Sequence, residues 1–177
     1  MMGKTHLAAG ILAGEITALA YYRASIIPAL IVIGTAAIGS LLPDIDHPGS
    51  LLSSSTRLSR HISNSIAAVT PHRGLTHTPI FACMIIAALY YFLQSRIIYS
   101  DPICIGLAVG ILSHLVLDTL TERGVMWFWP IISKHMRLCR IRSNHTVERL
   151  IRGVMSVGAT VLGVGFAVWE IQRYVAV

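Results

Sequence analysis

The segment "ASIIPALIVIGTAAIGSLLPDIDHPGS", residues 24–50, joins a long apolar run to a short cluster of ionisable side chains. Residues 24–43 carry no charge, and a helix of about 17 to 25 mainly apolar residues is long enough to cross a bilayer. Pro43 ends the predicted helix, and Asp44, Asp46 and His47 follow immediately. Because the chain has only eight aspartates and glutamates, this cluster indicates a site at the end of a membrane helix.

The composition of the whole chain also predicts a membrane protein. Hydrophobic residues make up 54% and charged residues only 12%, and the mean hydropathy is +0.68, whereas about a quarter of residues are charged in soluble domains. No linker divides the chain, so we expect residues 1–177 to form a single domain. The three cysteines are odd in number and widely spaced, which argues against a disulfide framework or a thiolate metal site.

Four more apolar runs predict further spanning helices, at residues 6–22, 78–95, 102–120 and 153–170. Together these runs predict an all-α, polytopic membrane helix bundle with about five spanning helices. Residues 56–69 alternate apolar and basic positions at helical spacing, which favours a short interfacial helix. Residues 6–22 could alternatively be a secretory signal, but Glu15 inside the run argues against that interpretation.

Basic residues predict the orientation of the bundle. The 121–152 connection carries seven of them and is therefore expected in the cytoplasm. Alternating the helices then places eleven basic residues on the cytoplasmic side and three outside, with the N-terminus inside. The net charge of +6 is explained by cytoplasmic loops near anionic membrane lipids, so it gives no case for nucleic-acid binding.

This arrangement brings ionisable residues from four helix ends to one membrane face. They are His6, Asp44, Asp46, His72, His77, His114 and Asp118. His114 and Asp118 are four residues apart and therefore share one helix face. Imidazole and carboxylate groups are the usual ligands of zinc, manganese and iron.

Each of these motifs has a simpler interpretation when taken alone. The His114–Asp118 pair is compatible with a buried hydrogen bond, "PDIDHPG" with a capped turn, and "HRGLTH" with a loop that binds lipid head groups through Arg73. Their joint placement favours a metal site, because unpaired charges at membrane depth are costly and tend to mark functional sites. Asp46 is the expected direct ligand, Asp44 its bridging or supporting companion, and His47 a structural residue.

Several motifs also carry a resemblance to a known family. "LLPDIDHPGS", "HRGLTH", "SHLVLDTLTERGVMWFWP" and the histidine of "THLAAG" resemble the YdjM-like family of bacterial inner-membrane proteins, which are generally described as metal-dependent hydrolases. The resemblance implies an inner-membrane location and covers the chain from His6 to about Arg149. The family pattern falls on the residues named above, on Arg73 and on Glu148 in "HTVERL".

The chain is more distantly similar to zinc-dependent phospholipases C and related nucleases, whose ligands follow the same order along the chain. Those enzymes continue with a further histidine and an H-x-x-x-E pair. Here the later segment offers only His135 and the shorter H-x-x-E of His145 and Glu148. We therefore expect one or two divalent metals, zinc first and manganese as an alternative.

Three functions are compatible with this pattern. The first is a metal-dependent hydrolase that attacks a phosphodiester or related ester, such as a lipid head group. In that case His72, Asp46, His114 and Asp118 are the first-choice ligands, and His6, Asp44 and His77 hold a second ion or act as bases. Arg73 then neutralises the developing negative charge. The alternatives are a metal or proton transporter, whose site would lie nearer the bilayer midplane, and an adaptor with a purely structural metal.

Overall fold

The computed structural model describes residues 1–47, 49–69 and 74–175, and within them the regular structure is helical apart from two isolated β-bridges. Seven α-helices follow one another in these residues: α1 (Gly3–Tyr21), α2 (Ile26–Gly39), α3 (Leu51–Ser54), α4 (Arg57–Val69), α5 (Pro79–Leu93), α6 (Ser100–Thr119) and α7 (Thr146–Val175). Two short 3₁₀ turns, Pro43–Asp46 and Leu75–His77, precede α3 and α5.

Every predicted apolar run contains a helix, but the number of spanning helices is not confirmed. Within the part of the chain that the structure describes, three segments are long and apolar enough to cross a membrane: Ile26–Asp46, Ser100–Thr119 and Thr146–Val175. Helix α5 has only 15 residues, fewer than the roughly 17 that a span needs. Helix α7 begins at Thr146, seven residues before the predicted apolar run, and the Glu148 side chain in its first turn accepts the backbone N–H of Asn144.

Helices α1, α2 and α6 pack against one another and form the centre of the molecule. The buried face of α2 carries small or β-branched side chains, Ala29, Val32 and Ala36, each with no exposed surface. Small side chains let helix backbones approach closely, which favours packing within a membrane.

Two glycine pairs make this close approach possible. Gly106 and Gly110 on α6 form a G-x-x-x-G motif against α2, and an added side chain at Gly110 would collide with the backbone oxygen of Ala36. Gly10 and Gly14 on α1 form a second such motif against α2, and an added side chain at Gly10 would also meet the Ala36 oxygen. The three central helices therefore pack with their backbones in close contact at these glycines.

The packing of α1, α2 and α6 also brings polar residues together at one end of this three-helix group. On α6, the buried stripe that includes Ile111 continues through His114 and Asp118, both fully buried. Helix α1 brings His6 to this end, and the turn after α2 brings Asp44 and Asp46. Thr78 caps the start of α5: its hydroxyl accepts the N–H of Phe81 and so fixes the chain direction directly after His77.

Candidate metal centre

Four side-chain atoms from three chain segments converge at this end of the bundle. His77 Nε2 lies 3.3 Å from His114 Nε2 and 3.5 Å from Asp44 Oδ1. His114 Nε2 lies 3.8 Å from Asp44 Oδ1 and 3.7 Å from Asp118 Oδ2. His77 Nε2 and Asp118 Oδ2 are 3.8 Å apart. Two imidazoles and two carboxylates thus face one small volume.

These separations fit a single divalent ion. Four ligand atoms arranged tetrahedrally at about 2.1 Å from zinc lie about 3.4 Å from one another. Five of the six separations that define such a tetrahedron are between 3.3 and 3.8 Å here. The donor set of two histidines and two aspartates also suits zinc or another first-row metal.

Hydrogen bonding orients His114 for metal binding. Its Nδ1 lies 2.7 Å from the backbone oxygen of Ser40, at the end of α2. Because a carbonyl oxygen only accepts, Nδ1 carries the proton, and the lone pair of Nε2 faces the other three ligand atoms. A backbone carbonyl that fixes the tautomer in this way is typical of metal-binding histidines.

His77 is oriented by a carboxylate and a threonine. Asp46 Oδ2 lies 3.6 Å from His77 Nδ1 and accepts the Thr76 hydroxyl at 2.6 Å. Burial alone would lower the pKa of His77, but its contacts with Asp44 and Asp46, together with the charge of Asp118, raise that pKa above its ordinary value. A carboxylate behind a histidine increases the basicity of the ring towards a metal.

A second group of potential ligands adjoins the first. His6 stacks on His114, with ring centroids 3.6 Å apart and 11° between the planes. Its Nε2 lies 3.4 Å from Asp118 Oδ1, and its Nδ1 has no hydrogen-bond partner within the described residues. His6, Asp44 and His114 also form a compact group of possible ligands. Asp118 Oδ1 also accepts a hydrogen bond from the buried N-terminal ammonium of Met1, so the two oxygens of Asp118 have different partners.

Among the described residues, Asp44 belongs to a compact group of possible ligands, whereas the sequence favoured Asp46 as the direct ligand. Asp44 Oδ1 faces the Nε2 atoms of His77 and His114, whereas Asp46 faces the opposite nitrogen of His77. The 3₁₀ turn explains the difference, because it directs residues two positions apart to different sides rather than aiming both inward, as an extended turn would.

Glu148 also lies apart from the four converging atoms. Its Oε1 accepts the N–H of Met2 and the hydroxyl of Thr5, and its Oε2 accepts the N–H of Asn144. Both carboxylate oxygens are thus occupied in joining the start of α7 to the start of α1. The resemblance implied a ligand at this position, but the contacts of Glu148 are those of a structural residue.

The remaining predicted residues fall elsewhere. His72 and Arg73 lie outside the described residues. His47, His135 and His145 are exposed, and Glu15 is buried against α7 at Gly163, away from the described ligand groups. Sequence reasoning missed Thr76 and Ser40; the position of Thr76 next to His77 in "GLTH" was the available signal, whereas Ser40 contributes only a backbone atom.

A cavity of about 630 Å³ opens beside the site. Asp44 lines this cavity and is 15% exposed, while the side chains of His77, His114 and Asp118 are at most 1% exposed. Cationic or ionisable side chains are prominent in the wall: Lys4, His47, Arg123, Arg142 and His145. Glu122 pairs with Arg142 at 2.9 Å, which leaves an excess of positive charge around the opening.

Comparison with known proteins places the chain in a family. Residues 1–175 match the sequence profile of the YdjM inner membrane protein family. A Bacillus subtilis protein, the uncharacterized protein YvsG, is 32% identical over 130 residues, which cover 73% of this chain and 74% of that protein. The Escherichia coli inner membrane protein YdjM is 36% identical over 99 residues, which cover 56% of this chain and 49% of that protein.

The matched segment thus spans about half the length of the Escherichia coli relative. No solved structure matches the chain, and the wider resemblance to zinc-dependent phospholipases C is not confirmed. The apolar helices and the inner membrane relatives together identify a membrane protein. The chain belongs to the YdjM inner membrane protein family.

Proposed function

We propose that this protein is a membrane hydrolase that uses a divalent metal, zinc first, to cleave a phosphodiester or a related ester. One observation carries the proposal: two imidazole nitrogens and two carboxylate oxygens converge, and five of their six separations are between 3.3 and 3.8 Å. A divalent ion bound there supplies Lewis acidity and activates water for attack on a phosphoryl or carbonyl centre.

The protein's own residues then have distinct tasks. His77, His114, Asp44 and Asp118 hold the ion, and Asp46 with Thr76 keeps the His77 ring in position. Asp44 is the one of these four ligands with appreciable exposure to the cavity, so the substrate approaches from its side. His6, buried beside Asp118, provides a ligand for a second ion or accepts a proton.

Positive charge around the cavity supports an anionic substrate. Lys4 and Arg123 line the opening, and neither forms a salt bridge with a carboxylate among the described residues. Cationic walls concentrate anions such as phosphate esters. Arg73 keeps the role inferred from the sequence, stabilisation of negative charge in the transition state. We place the cavity on the cytoplasmic side of a multi-pass protein, where anionic lipid head groups lie, on the basis of the basic loops.

Two observations favour hydrolysis over the alternatives. The ligand groups lie at helix ends rather than near the middle of the bundle, where transporter sites lie. His77, His114 and Asp118 form a compact group of three possible ligands, the number typical of catalytic zinc, and Asp44 at the fourth position is exposed to a cavity from which water or substrate can displace it.

The test is metal analysis of the purified full-length protein beside His114→Ala and Asp44→Asn variants, followed by hydrolysis assays on phosphodiesters and phospholipids. We expect metal in the wild type, little in the variants, and turnover only in the metal-loaded wild type. Equal, trace metal in all three proteins would remove the basis for the proposal. A metal-loaded protein that hydrolyses no ester would favour the structural alternative.

A further inference from the structure

A narrow apolar groove runs between α5 and α6, on the side of α6 away from α1 and α2. Its volume is about 670 Å³, within the roughly 300 to 1,000 Å³ typical of small-molecule sites. Small side chains leave the space between the helices: Ala82, Cys83 and Ala87 on α5 and Cys104 and Ala108 on α6. These residues recur at helical spacing, so the groove follows the helix axes.

One end of the groove adjoins the candidate metal centre. Pro79, at this end, is two residues from His77, and Leu115 directly follows His114. Leu115 is 1% exposed and packs with Ile111 and Val125, so the wall of the groove at this end is continuous with the side chains that support the site. Tyr90 and Asp101, the most polar lining residues, lie at the far end.

The length and lining of the groove indicate its occupant. Pro79 and Tyr90 mark its two ends on α5, about 16 Å apart at 1.5 Å per residue. Asp101 is the one charged residue among those that line the groove. An extended hydrocarbon chain matches both this length and this apolar lining.

The surroundings indicate the source of that chain. Helix α6 is one of the three segments apolar enough to span a membrane, and α5 is a shorter apolar helix whose described residues include none that is fully buried. The length of about 16 Å exceeds half of the roughly 30 Å hydrocarbon core of a bilayer. An acyl chain that enters from the face bearing the metal centre therefore has the length and polarity to fill the groove.

We propose that the α5–α6 groove binds one acyl chain of a membrane lipid and thereby holds the lipid's polar end next to the metal centre. This inference builds on the proposed hydrolase and narrows its substrate to a lipid, as opposed to a water-soluble ester. The groove provides affinity through apolar contact, and the cationic cavity beside Asp44 favours an anionic head group.

Photo-labelling tests the groove without requiring catalysis. The full-length protein is reconstituted into phosphatidylglycerol vesicles that contain a trace of phosphatidylglycerol with a diazirine in one acyl chain, and labelled residues are identified by mass spectrometry. We expect labelling at Ala82, Ala87 and Ala108 well above the labelling on the outer face of α7, where lipids exchange freely and are not bound. Equal labelling of both surfaces, or a protein–protein cross-link through the groove, would overturn the inference.

Variants that fill the groove sharpen the test. Ala108→Phe should reduce the groove label several-fold, and Ala87→Phe provides an independent second variant should the first fold poorly. Ala167→Phe makes the same change at an exposed position of α7 and should leave the label unchanged. Asp118→Asn should abolish metal binding but keep the label, which separates failure of the hydrolase proposal from failure of this one. Groove labelling that persists in both filled variants would contradict acyl-chain binding.

Discussion

The two aspartates of the "PDID" turn have different roles because they face opposite nitrogens of the same histidine. Asp44 shares a volume with His77 Nε2 and His114 Nε2, whereas Asp46 contacts His77 Nδ1 and the Thr76 hydroxyl. A ligand and the residue that orients a ligand contribute unequally to metal affinity. This difference can be measured.

Removal of the Thr76 hydroxyl should weaken metal binding without abolishing it. In Thr76→Val, Asp46 loses its 2.6 Å hydrogen bond and holds His77 less firmly, for which we expect about 10- to 100-fold lower affinity. Asp44→Asn removes a ligand and should weaken binding more. Zinc titration against a competing chelator gives both values, with Thr160→Val on the exposed part of α7 as the control. Equal losses in Asp44→Asn and Thr76→Val would contradict the assigned roles.

Metal affinity should also fall as the pH decreases. The raised pKa of His77 means that the metal-free protein takes up a proton at a higher pH than an ordinary histidine, whose pKa is about 6.5. Proton and metal compete for the ring, so affinity is greatest above the raised pKa and decreases below it, by up to about tenfold per pH unit for one proton. Titrations between about pH 9 and about pH 6 measure this trend. A constant affinity across that range would rule out competition at His77.

At the level of the helices, backbone contact between α2 and α6 supports the site. His114 reaches Ser40 only because Gly110 lets α6 approach the backbone of α2 at Ala36. The small residues of the two G-x-x-x-G motifs therefore determine where the ligands lie, although none of them is polar.

Gly110→Ala should destabilise the bundle. The added methyl group meets the Ala36 carbonyl oxygen, and overpacking of this kind costs about 1 to 3 kcal/mol. Gly165→Ala on α7 is the matched control, because no atom lies within 4 Å of the position that its added methyl group would occupy and alanine favours a helix. Thermal unfolding in detergent should show a lower midpoint for the first variant only. Equal midpoints would indicate that α2 and α6 can separate without loss of stability.

For the whole molecule, the distribution of basic residues predicts that the cavity faces the cytoplasm. Cys139 is exposed in the 120–145 connection, next to the segments that line the cavity. Ile98 is 89% exposed in the connection between α5 and α6, at the other end of the bundle. We therefore expect the two positions to lie on opposite membrane faces.

In cells, a membrane-impermeant thiol reagent should discriminate between these positions. With Cys83 and Cys104 replaced by serine, Cys139 should react only after the inner membrane is permeabilised, because the reagent cannot reach the cytoplasm. An Ile98→Cys variant that also carries Cys139→Ser should react in intact cells. The reverse pattern would invert the predicted orientation, and gel mobility after labelling provides the measurement.

The sequence by itself determined the class of the protein and the location of its polar site. Apolar runs fix where helices form, since burying that many apolar side chains requires a membrane or a protein interior, and all five runs are helical. Isolated ionisable groups in such a chain are costly, so their positions in "LLPDIDHPGS" and "SHLVLD" pointed to the helix ends that meet in the structure.

Only the tertiary structure decided which atoms face one another. The 3₁₀ turn at Pro43–Asp46 directs Asp44 and Asp46 to different sides. Hydrogen bonds between the starts of α1 and α7 occupy both oxygens of Glu148. Glycine contacts determine how closely α6, which carries His114, approaches α2. The α5–α6 groove likewise depends on how two helices are spaced. Residue spacing along a chain limits which side chains can share a face, but the distances between atoms on different helices depend on packing, and those distances determine whether a set of side chains can hold a metal.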